Sequence, residues 1–289
     1  MFIAKIENSN HEILELTGNE ANWQVVSITG LNPPPAQINT TAIAGMDGAK
    51  FNSSKLETRN LVITLKLNGG QSTVETNRQQ LYRFFRTKDT CRFYFRNTNR
   101  DVFIDGLVET CEVDLFELGQ AMQISIICPQ PYFKAVDEII EEMSSVVALF
   151  VFPFAIDEDD PIAFSELDVT RETDIFNDAE AETGAVFTAT FAASVSSLKI
   201  VDTSTGETFQ VNYNFVENDI LTINTNKGEK SVSLLRSGVR YNLFGYMVRG
   251  SIFFQLLPGD NYFRYEADGG TENINVFITV TRYKTYRGV

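Results

Sequence analysis

The chain has 289 residues and a mass of 32.5 kDa, enough for two domains of ordinary size, and at 43% hydrophobic and 12% aromatic it can build real cores of β-rich character. A formal charge of −14 and a pI near 4.6 exclude a nucleic-acid grip, which needs clustered positive charge to displace counterions. The sequence holds no apolar run long enough to span a membrane, and three cysteines (Cys91, Cys111, Cys128) make no disulfide framework and suit a reducing compartment.

The first residues, Met1 to Lys5, lack a secretory apolar region. Residues 28–51 cannot form an ordinary helix or a central strand. Pro33, Pro34 and Pro35 lack backbone donors and fix φ, and Asn32 is pushed toward an extended shape by the proline after it. Small and β-branched residues follow (Ile38, Thr40, Thr41, Ile43), and Asp47-Gly48 offers a tight turn. The segment reads as a stiff arm whose spare backbone groups need a partner, for which a neighbouring subunit is the natural choice. A Pro-rich ligand for another domain is the alternative. Leu61, Ile63, Leu65 and Leu67 alternate as in a half-buried strand. Thr73 to Lys88 predicts an amphipathic helix with Val74, Asn77, Leu81, Phe84 and Phe85 on one side and Ser72 or Thr73 as its N-cap.

Arg92–Asn97, Asp101–Thr110 and Met122–Cys128 read as strands, the last ended by Pro129 and Pro131. Phe133 to Val147 places Val136, Ile139, Ile140, Met143 and Val147 at helical intervals, so a connecting helix is expected, with a strand from about Ile139 as the alternative. Beyond Leu149, turn signals at Asp157–Pro161, Thr205-Gly206, Glu217–Asp219, Asn226–Gly228, Pro258–Asn261 and Asp268–Gly270 separate short β-rich runs at Ser197–Val201, Phe209–Phe215, Leu221–Asn224 and Val276–Val280. That spacing suits an antiparallel sandwich.

Nothing in the pattern singles out catalytic chemistry. A nucleophile needs a base, and His11 is the sole histidine, in a polar segment beside Asn10 and Glu12. The glycines at 245 and 250 lack the spacing and the following Lys-Ser/Thr of a phosphate loop. A zinc site would need a fourth ligand beside the three cysteines. Asp157 to Asp160, with Glu166 and Asp168 nearby, lack the spacing of a calcium loop and read as a solvated turn. For a sugar site the single tryptophan, Trp23, lies in the first domain, leaving Tyr241, Phe244, Tyr246, Tyr262 and Tyr265 as stacking candidates. No enzyme activity, metal or cofactor is expected.

An ordered series of segments carries a resemblance to a known family: Val25–Pro34, Met46–Phe51, Arg59–Leu65, Asn77–Phe85, Arg92–Asn97 with Gly106–Glu109, Cys128–Phe133, Leu257–Phe263 and Tyr286–Val289. Together they resemble the distal tail proteins of long-tailed (siphovirus-type) bacteriophages over most of the chain, least so between about Asp168 and Lys227. The resemblance implies a mainly β fold: an N-terminal β-barrel or sandwich belt domain with one helix (1–133, arm at about 31–51), then a C-terminal galectin-like antiparallel β-sandwich (134–289, connecting segment 134–149). It implies a structural virion protein, made in the host cytoplasm, that forms a homo-hexameric ring joining the tail tube protein to the tail tip or baseplate around a DNA channel. A tail-associated lysin or fibre protein and receptor-binding proteins are the implied partners, with passive DNA passage and no membrane contact. The arm residues Asn32, Pro33, Pro34, Pro35, Ile38, Ile43, Met46 and Phe51 are then expected at the subunit interface. A carbohydrate-binding adhesion module of a phage tail is the alternative.

Overall fold

A computed structural model describes residues 2–18, 22–116, 120–143, 173–268 and 276–289, with the backbone alone of 145–147 and 166–168. The acidic turn expected at 157–161 and the glycine turn at 269–270 lie outside the described residues. The chain divides into two compact units, Met1–Val136 with Thr285–Val289, and Asp137–Lys284.

The first unit contains β1 (Ile3–Glu7), β2 (Ile13–Glu15), β3 (Trp23–Thr29), β4 (Ala36–Ala42), β5 (Ala49–Leu56), β6 (Arg59–Leu67), helix α1 (Gln71–Phe84), β7 (Thr90–Arg96), β8 (Asp101–Val113), β9 (Ala121–Cys128) and the start of β10 (Phe133–Glu142). Its sheet runs β2-β1-β7-β8-β9-β6-β3, all antiparallel. The alternation read for residues 61–67 is present in β6, where Leu61, Ile63, Leu65 and Leu67 are buried. They pack with Trp23, Leu81, Phe93, Phe95, Ile124 and Phe133 in one core. Two polar groups are satisfied inside it: the Trp23 indole donates to the Leu16 carbonyl at 3.1 Å, and the Asn77 amide donates to the Asn22 carbonyl at 2.9 Å. The second bond ties α1 to the connection before β3.

Helix α1 begins at Gln71 with Gly70 as its N-cap and no side-chain cap, rather than with Ser72 or Thr73. Gly69, at φ +112°, makes the turn before it, so the helix starts as soon as the chain has reversed. It stops at Phe84 rather than Lys88, and Lys88 itself has a left-handed φ of 72°.

The second unit continues β10 and adds β11 (Ser145–Val147), β12 (Glu166–Asp168), β13 (Thr173–Asn177), β14 (Ala185–Phe191), β15 (Val195–Asp202), β16 (Thr208–Phe215), β17 (Ile220–Asn224), β18 (Ser231–Arg236), β19 (Val239–Asn242), a 3-10 turn at Phe244–Tyr246, β20 (Gly259–Asp268) and β21 (Val276–Tyr286). Two sheets, β19-β18-β17-β14-β21-β10 and β13-β20-β15-β16, close on a core of Phe187, Phe191, Phe209, Phe215, Phe263 and Tyr265. This is an antiparallel sandwich, and the mainly β expectation holds across both units.

Where the connecting helix is expected over 133–147, residues Phe133–Glu142 form a strand instead. A helix would stack Asp137 on Glu141 and Glu138 on Glu142, like charges four residues apart. As a strand, β10 pairs Lys134 with Phe103 and Ala135 with Val102, and Glu141 meets Arg282 at 3.3 Å. Val136, Ile139 and Ile140 are β-branched and favour the extended form.

Candidate functional site

Between β3 and β6 the chain builds a feature that the rest of the fold does not cover. β4 and β5 form a hairpin, and among the described residues they pair only with each other. Every position from Ala36 to Ala42 and from Ala49 to Lys55 is exposed. An isolated two-stranded hairpin is at best marginally stable in water, so its root must be held and its surface has reason to meet something.

The root is held by one buried side chain. Arg59, at the start of β6, donates through Nε to the Pro131 carbonyl at 2.8 Å, through Nη1 to the carbonyls of Asn32 (2.6 Å) and Gly30, and through Nη2 to that of Arg287 at 2.6 Å. Its guanidinium lies 4.4 Å from the centre of the Phe133 ring, and burial pushes its pKa down. Gly30 has φ +84°, and a Cβ there would sit 2.2 Å from the Asn60 carbonyl oxygen, so the chain can pass this close to β6 only with glycine. Val289 donates its amide to the Leu31 carbonyl at 3.1 Å, and Gly288 lies against Pro33.

The sequence-predicted interface residues fall along this one feature. Asn32, Pro33 and Pro35 are exposed at the root and Pro34 is half-buried. Ile38 is on β4, Ile43 and Met46 are in the turn region, and Phe51 is on β5. Ile38 is 63% exposed, Met46 68% and Phe51 58%. The expected arm is therefore a hairpin that continues to Leu56. Its inner edges are already paired, so only the outer edges offer backbone groups.

The register sorts the side chains. Ala36, Ile38, Thr40 and Ala42 lie opposite Leu56, Ser54, Phe51 and Ala49, and paired residues share a face. Gln37, Asn39 and Thr41 lie opposite Lys55, Ser53 and Lys50 on the other face, where the Asn39 amide donates to Ser53 Oγ at 3.0 Å and the Asn52 amide to Thr41 Oγ1 at 2.6 Å. The hairpin is amphipathic, with its apolar face open.

Sequence reasoning missed a second exposed apolar point. In the connection after β8, Phe116 is 98% exposed and Leu115 is exposed beside it. The available signal is an apolar pair between Asp114 and Glu117 in a turn. Of the aromatics considered for sugar stacking, Tyr265 is buried, its hydroxyl donates to the Val276 carbonyl at 3.0 Å, and burial pushes its pKa up to about 12, so it cannot stack a ligand. Tyr241, Phe244, Tyr246 and Tyr262 are exposed. His11 is exposed and meets Glu7 at 2.7 Å.

Comparison with known proteins gives these features a context. Residues 17–128 match the family model of the phage tail protein RIFT-related domain. Residues 178–283 match that of the siphovirus-type tail component, C-terminal domain. No curated protein matches the sequence. Among solved structures, the Dit protein of phage SPP1, described as a paradigm of the hub adsorption apparatus in phages infecting Gram-positive bacteria, aligns with a TM-score of 0.70 at 14% identity over 99% of both chains. A chain of the phage P2 baseplate, in its activated conformation with Ca, aligns with a TM-score of 0.54 at 12% identity over 98% of both chains. The two family models follow one another along the chain in the order of its two units, and the chain belongs to the distal tail protein family of siphovirus-type phages, as a structural component of the tail.

Proposed function

We propose that this protein closes into a ring of identical copies, six in number, that joins the tail tube to the tail tip and surrounds the path of the DNA. In this reading the β4–β5 hairpin of each copy lays its apolar face on the next. The observation that carries it is the pairing of an amphipathic register with exposure along nearly the whole hairpin. A head-to-tail contact of this kind generates a ring when its rotation closes. Burying a side chain such as Ile38 or Phe51 stabilises by about 1.5–3 kcal/mol, so a few anchors per contact, repeated around a ring, suffice for assembly. Phe116 and Leu115 are a second contact point, with a neighbour or with the tube. The second unit remains available for fibres or receptor-binding proteins.

The test is the mass of the protein in solution. Wild type should run as a six-fold assembly by light scattering and show an annulus on negatively stained grids. The double variant Ile38→Asp, Phe51→Asp, both at exposed sites, should run as a folded monomer. Wild type that stays monomeric at high concentration, or a double variant that still forms the annulus, would overturn the reading.

A further inference from the structure

We propose that the second unit carries a saccharide-binding cleft at the open end of strand β16. The observation is geometric and independent of the ring reading. β16 is an edge strand, and half of its free edge is closed by the segment after the 3-10 turn: Val211 bridges to Met247, and the amides of Val248 and Ile252 donate to the carbonyls of Gln210 and Thr208 at 2.9 Å. Beyond Asn212 the register with β15 breaks, the pairing passing from Ser197–Asn212 directly to Val195–Phe215. Such irregularities re-aim side chains out of the pleat. Ser196, Asn212, Tyr213 and Asn214 lie at this break and, with Arg236 and Tyr246, line a cavity of about 450 Å³. That is within the ordinary size of small-ligand sites, ~300–1,000 Å³.

The lining chemistry selects the ligand. Tyr213 and Tyr246 meet at an interplanar angle of 79° with centroids 4.9 Å apart, forming an aromatic corner. Arg236 lies 5.4 Å from the Tyr213 ring centre, leaving Tyr246, more than half exposed, as the platform. The corner is backed by Phe215, stacked on Phe191 at 4.2 Å, so it is a rigid wall. Arg236 binds the buried Asp219 through Nε and Nη2 at 2.8 and 2.5 Å, and Nη2 also reaches the Asn214 carbonyl at 2.9 Å. Its charge is thus already compensated, which disfavours a phosphate or sulfate ligand and leaves Nη1 as a directional donor. Asn212 has its oxygen fixed by Gln210 at 3.0 Å and so presents its NH₂ group. The Asn214 side-chain amide and the Tyr213 and Tyr246 hydroxyls, which can both donate and accept, belong to residues of the same lining. A flat apolar ring bearing groups that both donate and accept is what this set complements: a neutral hexose, one or two units long.

The test uses the full chain. Wild type is placed on an array of neutral mono- and disaccharides and of anionic glycerol-phosphate polymers. Hits are followed by NMR titration of wild type, Tyr246→Ala and Asn214→Ala, with thermal melts confirming that both exposed-site variants are folded. The expected result is a neutral glycan bound weakly, near 1 mM, with each variant reducing affinity about tenfold or more. Retention of anionic polymers alone, abolished by added salt, would overturn the proposal. So would neutral glycan binding unchanged in both variants, or no binding at all.

Discussion

Arg59 shows how one side chain can set the stance of a whole hairpin. Its partners are four carbonyls from three separate places in the chain, so its removal leaves several buried acceptors unpaired. Arg59→Met should lower unfolding stability by about 3–5 kcal/mol in urea titrations. Arg59→Lys should recover little, because an ammonium cannot reproduce the fork. A melt within 1 °C of wild type for either variant would contradict this role. The position of Arg59 could be read from the sequence, but its role could not, because no local pattern links residues 30, 32, 59, 131 and 287. Cys91 and Cys128 are buried and Cys111 is half-buried. Burial pushes Cys91 and Cys128 up to about 12 and Cys111 to about 11. All three should resist a thiol-reactive dye at pH 8 and react promptly in denaturant. For Asp219, burial alone would raise the pKa, but Arg236 and the Val216 amide outweigh it and hold the group below its ordinary 3.8. Its stabilising contribution is therefore complete above about pH 4 and is lost as pH falls further. Asp219→Asn should flatten the acid limb of a stability–pH curve, and an unchanged limb would refute the assignment.

At the level of elements, the sequence was legible where one physical cause dominated. β6 alternates because one face is core, and the turns around Asn218 and Gly206 occur where left-handed residues were available. The connecting segment is ambiguous in sequence because apolar residues at 136, 139, 140, 143 and 147 satisfy a helical template, while the like-charge pairs 137/141 and 138/142 weigh only mildly against it. The hairpin was half legible. Prolines and small residues marked an arm, but the pairing of β4 with β5, and hence the sorting of faces, depends on a register that includes a bulge between Asn39 and Thr40. Gly106 reports on packing between β8 and its neighbours. A Cβ there would lie 2.6 Å from Ile126 Cγ2 and 3.0 Å from Cys128 Sγ. Gly106→Ala should cost about 1–3 kcal/mol by differential scanning calorimetry, with no change in subunit number.

Taken whole, the molecule carries a formal charge of −14. Copies gathered around a channel would present a repulsive lining to phosphates, so we expect DNA to pass without sticking. Neutralising the channel-facing acids should slow DNA release from assembled particles, and unchanged release kinetics would remove this expectation. The first unit owns the last five residues, Thr285–Val289, where Arg100 lies over Tyr286 at 4.5 Å and Val289 donates to Leu31. A gene cut after Val136 would express a body missing its own closing seam, prone to fray where the hairpin begins. Adding a synthetic peptide of residues 285–289 to that fragment should raise its melting temperature, and grafting the same five codons through a short linker should make the fragment a tractable reagent for reconstitution.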